Sequence, residues 1–187
     1  MKKIFFNLLF LLSVGRTLQG EVEEIQVKWN AFKCLSPCVD SIAQHLKGIN
    51  TVSDVQINGQ MGTAVMKWNQ NIPFSYEPFR GAFAAAGGIY IREMRVRVSG
   101  KISHDSVNYY LNSSGDHSSF QLIGPIFTEP GRYTPKNIAS HPLTPEIKDR
   151  LNEAENHNAT VVISGPLYLP SHYPRVLLAE DIKIAGK

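Results

Sequence analysis

Residues 31–49, AFKCLSPCVDSIAQHLKGI, hold both cysteines of the chain and decide how the rest is read. Ser36 is a good N-cap and Pro37 a good first helical residue, since proline lacks the N–H that would be orphaned there. Val39, Ile42, Ala43 and Leu46 recur at helical spacing and mark one buried face, while Asp40, Gln44 and Lys47 point elsewhere. Gly48 ends the helix. Cys38 falls on its first turn, near the positive end of the helix dipole, where a thiolate is favoured. Cys34 lies a short loop away, so both sulfurs can converge on one point, and two soft thiolates there suit Cu(I) or Zn(II).

Outward from this stretch the chain alternates between strand and helix. Glu23–Trp29 places Ile25, Val27 and Trp29 on one face of a strand. Val52–Asn58 and Thr63–Trp68 flank Asn58-Gly59, a strong hairpin dipeptide. Tyr76–Ala86 reads as a short helix with Phe79, Phe83 and Ala86 on one side, Gly87-Gly88 ends it, and Ile89–Val98 returns as a strand. Strand, helix, strand, strand, helix, strand predicts a ferredoxin-like βαββαβ domain over residues 21–93.

Residues 94–187 change character. Arg95–Ile102 alternates and has Gly100 where a strand would bend, and Asn108–Asn112 and Ser118–Gly124 read as strands. A proline-containing loop, Pro125–Pro142, follows. Thr144 caps a helix over 144–156 with Pro145 first and Glu146 and Asp149 early. Ala159–Leu169 and Arg175–Ile184 close the chain as strands. Three strands, a helix and two strands predict a small OB-type β-barrel with one helix, and the overall class is α+β. The stretch from Ile89 to Ile102 is long enough to serve both halves, which leaves no flexible linker near Met94.

The amino terminus reads as an export signal. Met1, Lys2 and Lys3 precede an apolar run over Ile4–Leu12 and the small residues of Ser13–Gly15, with Gly20 as the competing cleavage point; residues 1–20 are taken as the signal peptide. The run is too short to span a bilayer as a stable helix and no second one follows. The expected location is therefore periplasmic or secreted. From Glu21 onward 16 basic residues face 16 acidic ones, because Lys2, Lys3 and Arg16 fall outside. A near-neutral mature chain lacks the electrostatic footprint of a nucleic-acid binder.

Residues 23 to about 93 resemble the heavy-metal-associated domain of copper chaperones, copper-ATPase amino-terminal modules and mercury-binding proteins. The resemblance rests on a strand leading into a cysteine loop, Cys38 at the helix start, the following LKGINTVSDVQI, the strand TAVMKW, and a second helix ending FAAAGG. The family places methionine two residues before its first cysteine and two residues between cysteines. Here Phe32 takes the methionine place and the spacing is C-x-x-x-C. The resemblance implies a metal site made of Cys34 and Cys38, with Phe32 packed under the loop. It also implies a role in binding or delivering a soft metal, copper foremost and zinc as an alternative, handed to a partner metal-transfer protein by ligand exchange.

In an exported chain the same two cysteines are open to a disulfide, which would make the protein an envelope interaction or scaffold module with no metal. His45 lies two turns along the helix from Cys38, and His104, His117, His141, His157 and His172 are scattered through turns without metal-ligand spacing. Trp29, Trp68 and Phe83 read as core. Tyr109, Tyr110, Phe120 and Tyr168 could line a ligand face of the barrel, although barrel core is the preferred reading. No nucleophile–base spacing, phosphate loop or H-E-x-x-H is present, and the chain reads as a non-enzyme. Asn112-Ser-Ser and Asn158-Ala-Thr are glycosylation sequons, relevant only to a eukaryotic secretory route.

Overall fold

The computed structural model describes residues 21–69, 71–124 and 141–184. The leader and most of the 125–142 loop lie outside them. Among the described residues the order is β1 (Val22–Lys28), α1 (Ser36–Lys47), β2 (Val52–Asn58), β3 (Thr63–Trp68), α2 (Glu77–Ala85), β4 (Glu93–His104), β5 (Tyr109–Asn112), β6 (Ser119–Ile123), α3 (Pro145–Asn156), β7 (Val161–Tyr168), β8 (Arg175–Leu178) and β9 (Asp181–Ile184).

These strands form one nine-stranded sheet in the order β2-β3-β1-β4-β5-β6-β8-β7-β9. A further pairing of β4 with β7 closes β4, β5, β6, β8 and β7 into a five-stranded barrel. All its pairs are antiparallel except β6–β8, so the barrel is loosely OB-like. The expected succession of a ferredoxin-like βαββαβ domain and then a small barrel is corrected by this sheet. The molecule is mostly strand, and its hydrogen bonding runs without a break from β2 through β4 into the barrel.

The physical reason lies in β4. Its residues 93–98 pair with β1 on one side while 95–100 pair with β7 on the other, and 101–104 then turn away to pair with β5. Gly100 sits at that turn: a Cβ there would stand 2.4 Å from the carbonyl oxygen of Asn112, so only glycine lets the two backbones approach. Gly165 does the same on β7, where a Cβ would lie 1.7 Å from the Leu178 oxygen.

Buried polar groups join the halves as well. The Oδ2 of Asp116 accepts the Val22 N–H at 3.3 Å, and its Oδ1 accepts the Ser118 N–H at 3.0 Å. The Ser118 hydroxyl in turn accepts the Phe74 N–H at 2.8 Å, and Ser99 Oγ accepts the Glu21 N–H. Asp116, Ser118 and Ser99 are all buried, and the bonds to the Val22, Ser118 and Phe74 N–H groups satisfy backbone donors buried with them. One apolar core accordingly runs from Ile25, Ile42 and Phe79 to Leu111, Phe120 and Ile163.

Smaller expectations shift for local reasons. Leu35, not Ser36, is the N-cap of α1 and makes no side-chain cap, which puts Ser36 and Pro37 in the first turn. The β2–β3 connection is a four-residue turn over 59–62, not a two-residue Asn-Gly turn. In it Asn58 Oδ1 accepts the Met61 N–H, and Gly62 takes the positive φ of 61°. The predicted strand over Arg175–Ile184 is broken at Ala179 and Glu180, because β8 pairs with β6 while β9 crosses to the far edge of β7.

Candidate functional site

β1 runs antiparallel to both neighbours, with Lys28 opposite Thr63 on β3 and Glu93 on β4. That register brings three connections to one end of the sheet: β1–α1 (29–35), β2–β3 (59–62) and α2–β4 (86–92). Adjacent strands lie about 4.8 Å apart, so the connections are neighbours by construction. Backbone bonds hold them there, from the Trp29 N–H to the Gly62 carbonyl and from the Arg92 N–H to the Lys28 carbonyl, each 2.8 Å. The 59–62 turn is pressed against the cysteine loop, since a Cβ on Gly62 would lie 2.6 Å from the Trp29 oxygen and one on Gly59 2.9 Å from Val39 Cγ1.

The cysteine loop is built from its flanks. Asn30 Oδ1 accepts the Phe32 N–H and starts a single 3₁₀ turn over Ala31–Lys33. Trp29 is buried and meets Phe83 of α2 edge-on at 5.6 Å, which anchors the loop's entry. Cys34 then points into the core at 3% exposure, and Cys38, on the first turn of α1, packs partly buried against the same cluster. Their sulfurs are bonded to each other across a Cα–Cα distance of 5.2 Å. The two residues expected to converge do so, as a disulfide.

A disulfide has no thiolate to offer, so in this state the pair cannot coordinate Cu(I) or Zn(II). Among the described residues no group of three or more His, Cys, Asp or Glu is placed to hold a metal ion. His45 is exposed on α1. His104 pairs with Glu155 of α3 and stacks on Tyr109.

What the bridge displays is apolar. Phe32 is 97% exposed, not packed under the loop as the resemblance implies. Leu35, Met61 and Tyr90 are 75%, 70% and 87% exposed, one or two from each connection. These three carry no chemistry-bearing motif and escape a motif search. The signal that finds them is compositional: residues 29–35, 59–62 and 86–92 contain no aspartate or glutamate, and their charges are Lys33 and Arg92 alone.

No protein-family model, no curated protein and no solved structure matches the chain.

The barrel shows less. Phe120 and Tyr168 are buried, Tyr109 packs on the core and donates its hydroxyl to Asn152 of α3, and Tyr110 donates to Asp105. Burial pushes the Tyr168 hydroxyl above its ordinary pKa, and among the described residues it has no hydrogen-bond partner. Burial likewise lowers the Arg175 guanidinium, which stacks 5.6 Å above the Phe74 ring while the charge of Asp116 opposes the shift. Asn112 of β5 donates to the Ser103 hydroxyl of β4 and accepts from the Ser119 hydroxyl of β6, which links the three strands through side chains. Among the described residues no helix is long and apolar enough to cross a membrane.

Proposed function

We propose that the protein is an exported interaction module whose Cys34–Cys38 pair is a structural clamp and whose loop end is the contact surface. The observation that carries this reading is the bond between the two sulfurs. It removes the only thiolates a soft metal could use and pins the loop that presents Phe32 and Leu35. Burial of Cys34 supports it further, since a sulfur in the core is poorly placed to exchange ligands with a partner. The barrel and the four-stranded part of the sheet then serve as a rigid mount, joined through β4. Copper delivery is the competing reading, and it requires the bridge to be open in the protein's own compartment.

The test is thiol titration of protein recovered from that compartment under non-reducing conditions, followed by Cu(I) titration. Blocked thiols and no copper are expected. One copper per chain in native material, lost in Cys38→Ser, would overturn the clamp reading in favour of metal delivery.

A further inference from the structure

The loop end has a distinctive composition. Four of the eight large apolar side chains that stand exposed among the described residues are Phe32, Leu35, Met61 and Tyr90, and all four project from this end. The two charges beside them, Lys33 and Arg92, are positive and have no ion-pair partner among the described residues. The nearest acid on β4, Glu93, is already engaged by Lys28 at 2.9 Å and by Arg95. Beside Tyr90, Arg80 lines the same pocket and is already paired with Glu77. Because the chain from Glu21 onward is balanced at 16 basic against 16 acidic residues, the lack of acids in the three connections is a local feature and not the result of a basic protein.

We propose that this end docks on an anionic lipid surface. The inference rests on the interaction-module reading and adds the partner. A protein groove would accept the apolar side chains but supplies no reason for every charge among them to be positive. An anionic bilayer accounts for both: apolar side chains enter the boundary between headgroups and acyl chains, tyrosine sits at headgroup depth, and cations lie along the phosphates. Rigidity helps, since an apolar loop already held outward loses little conformational entropy on insertion, and the disulfide and the bond from Trp29 N–H to Gly62 provide that hold. Four side chains on three connections give a shallow, reversible contact rather than an anchor.

The experiment is co-sedimentation of protein recovered from its own compartment with two kinds of vesicle. One is equal parts phosphatidylglycerol and phosphatidylcholine, and the other is phosphatidylcholine alone. Binding to the anionic vesicles, falling with salt, is expected. Phe32→Ser and Met61→Ser should each weaken it about tenfold, and Lys33→Ala with Arg92→Ala together roughly twentyfold. All four side chains are at the surface, so an unchanged thermal melt accompanies each loss. No sedimentation of the wild type, or binding that the four substitutions leave unchanged, overturns the proposal. So does concentration-dependent self-association abolished by Phe32→Ser, which would assign this end to a second copy of the chain. Oxidised, metal-free thiols without vesicle binding would sink the lipid inference alone, whereas copper on native thiols would sink the reading beneath it.

Discussion

Opening the Cys34–Cys38 bridge separates a clamp from a metal site. The cysteines are four residues apart, and the loop-closure relation gives about 2 kcal/mol for so short a loop at room temperature. Reduction of the wild type comes nearest to isolating that quantity, because both sulfurs remain in the chain. Cys34→Ala with Cys38→Ala also deletes the buried Cys34 sulfur, which adds about 1 kcal/mol of lost burial. For a chain of this size, reduction should lower the melting temperature by about 4–8 °C, and the double substitution by a few degrees more. The assay is urea unfolding of three samples followed by tryptophan fluorescence: oxidised, reduced, and doubly substituted. Trp29 sits at the entry of the cysteine loop and reports directly on it. Reduction that leaves the midpoint unmoved would refute the reasoning, since a clamp that constrains the unfolded chain must cost stability when released. Added Cu(I) that restores the reduced protein to the oxidised midpoint would refute it too, by showing a site that closes as well around an ion as around a bond.

Gly165→Ala should be the most damaging single methyl group in the barrel. Its Cβ would meet a backbone oxygen at 1.7 Å, so β7 or the β8–β9 connection must move, and a loss of about 3 kcal/mol or more is expected by urea denaturation. Asp116→Ala strips the buried Val22 and Ser118 N–H groups of their acceptor and should cost about 2–4 kcal/mol. Hydrogen exchange should accelerate at those two amides, and unchanged protection would contradict the assignment. Asp105 titrates below its ordinary value of 3.8 because it accepts the N–H groups of Asn108 and Val107. A depressed carboxylate contributes in full above its unfolded pKa and loses that contribution as pH falls through its folded one. The amide resonances of residues 107 and 108 should therefore hold steady through neutral pH and move together only in strong acid, and a transition above the ordinary value would show the sign to be wrong.

Much of the local structure was legible because it depends on neighbours in sequence. The alternation of Ile25, Val27 and Trp29, the spacing of Ile42 and Leu46, and the Thr144 cap, whose hydroxyl accepts the Ile147 N–H, are properties of a few consecutive residues. The shared strand near Met94 was legible as well, but the ferredoxin-like arrangement failed because strand pairing was inferred from element order alone. Nothing in EMRVRVSGKISH names the partners: β1 and β7 on either side of residues 95–98, and β5 beyond Gly100.

By itself the sequence determined most of the strands and helices, that Cys34 and Cys38 lie close together at the start of a helix, and that the chain from Glu21 onward carries no net charge. Only the tertiary structure decided that the sulfurs bond to each other, that Phe32 faces outward, and that Leu35, Met61 and Tyr90 share its end of the sheet. The reason is range. Helix caps and hydrophobic periods act over a turn or two. The gathering of three loops far apart in sequence is set by the register of β1 against β3 and β4, and a register is a property of paired strands that no single strand contains.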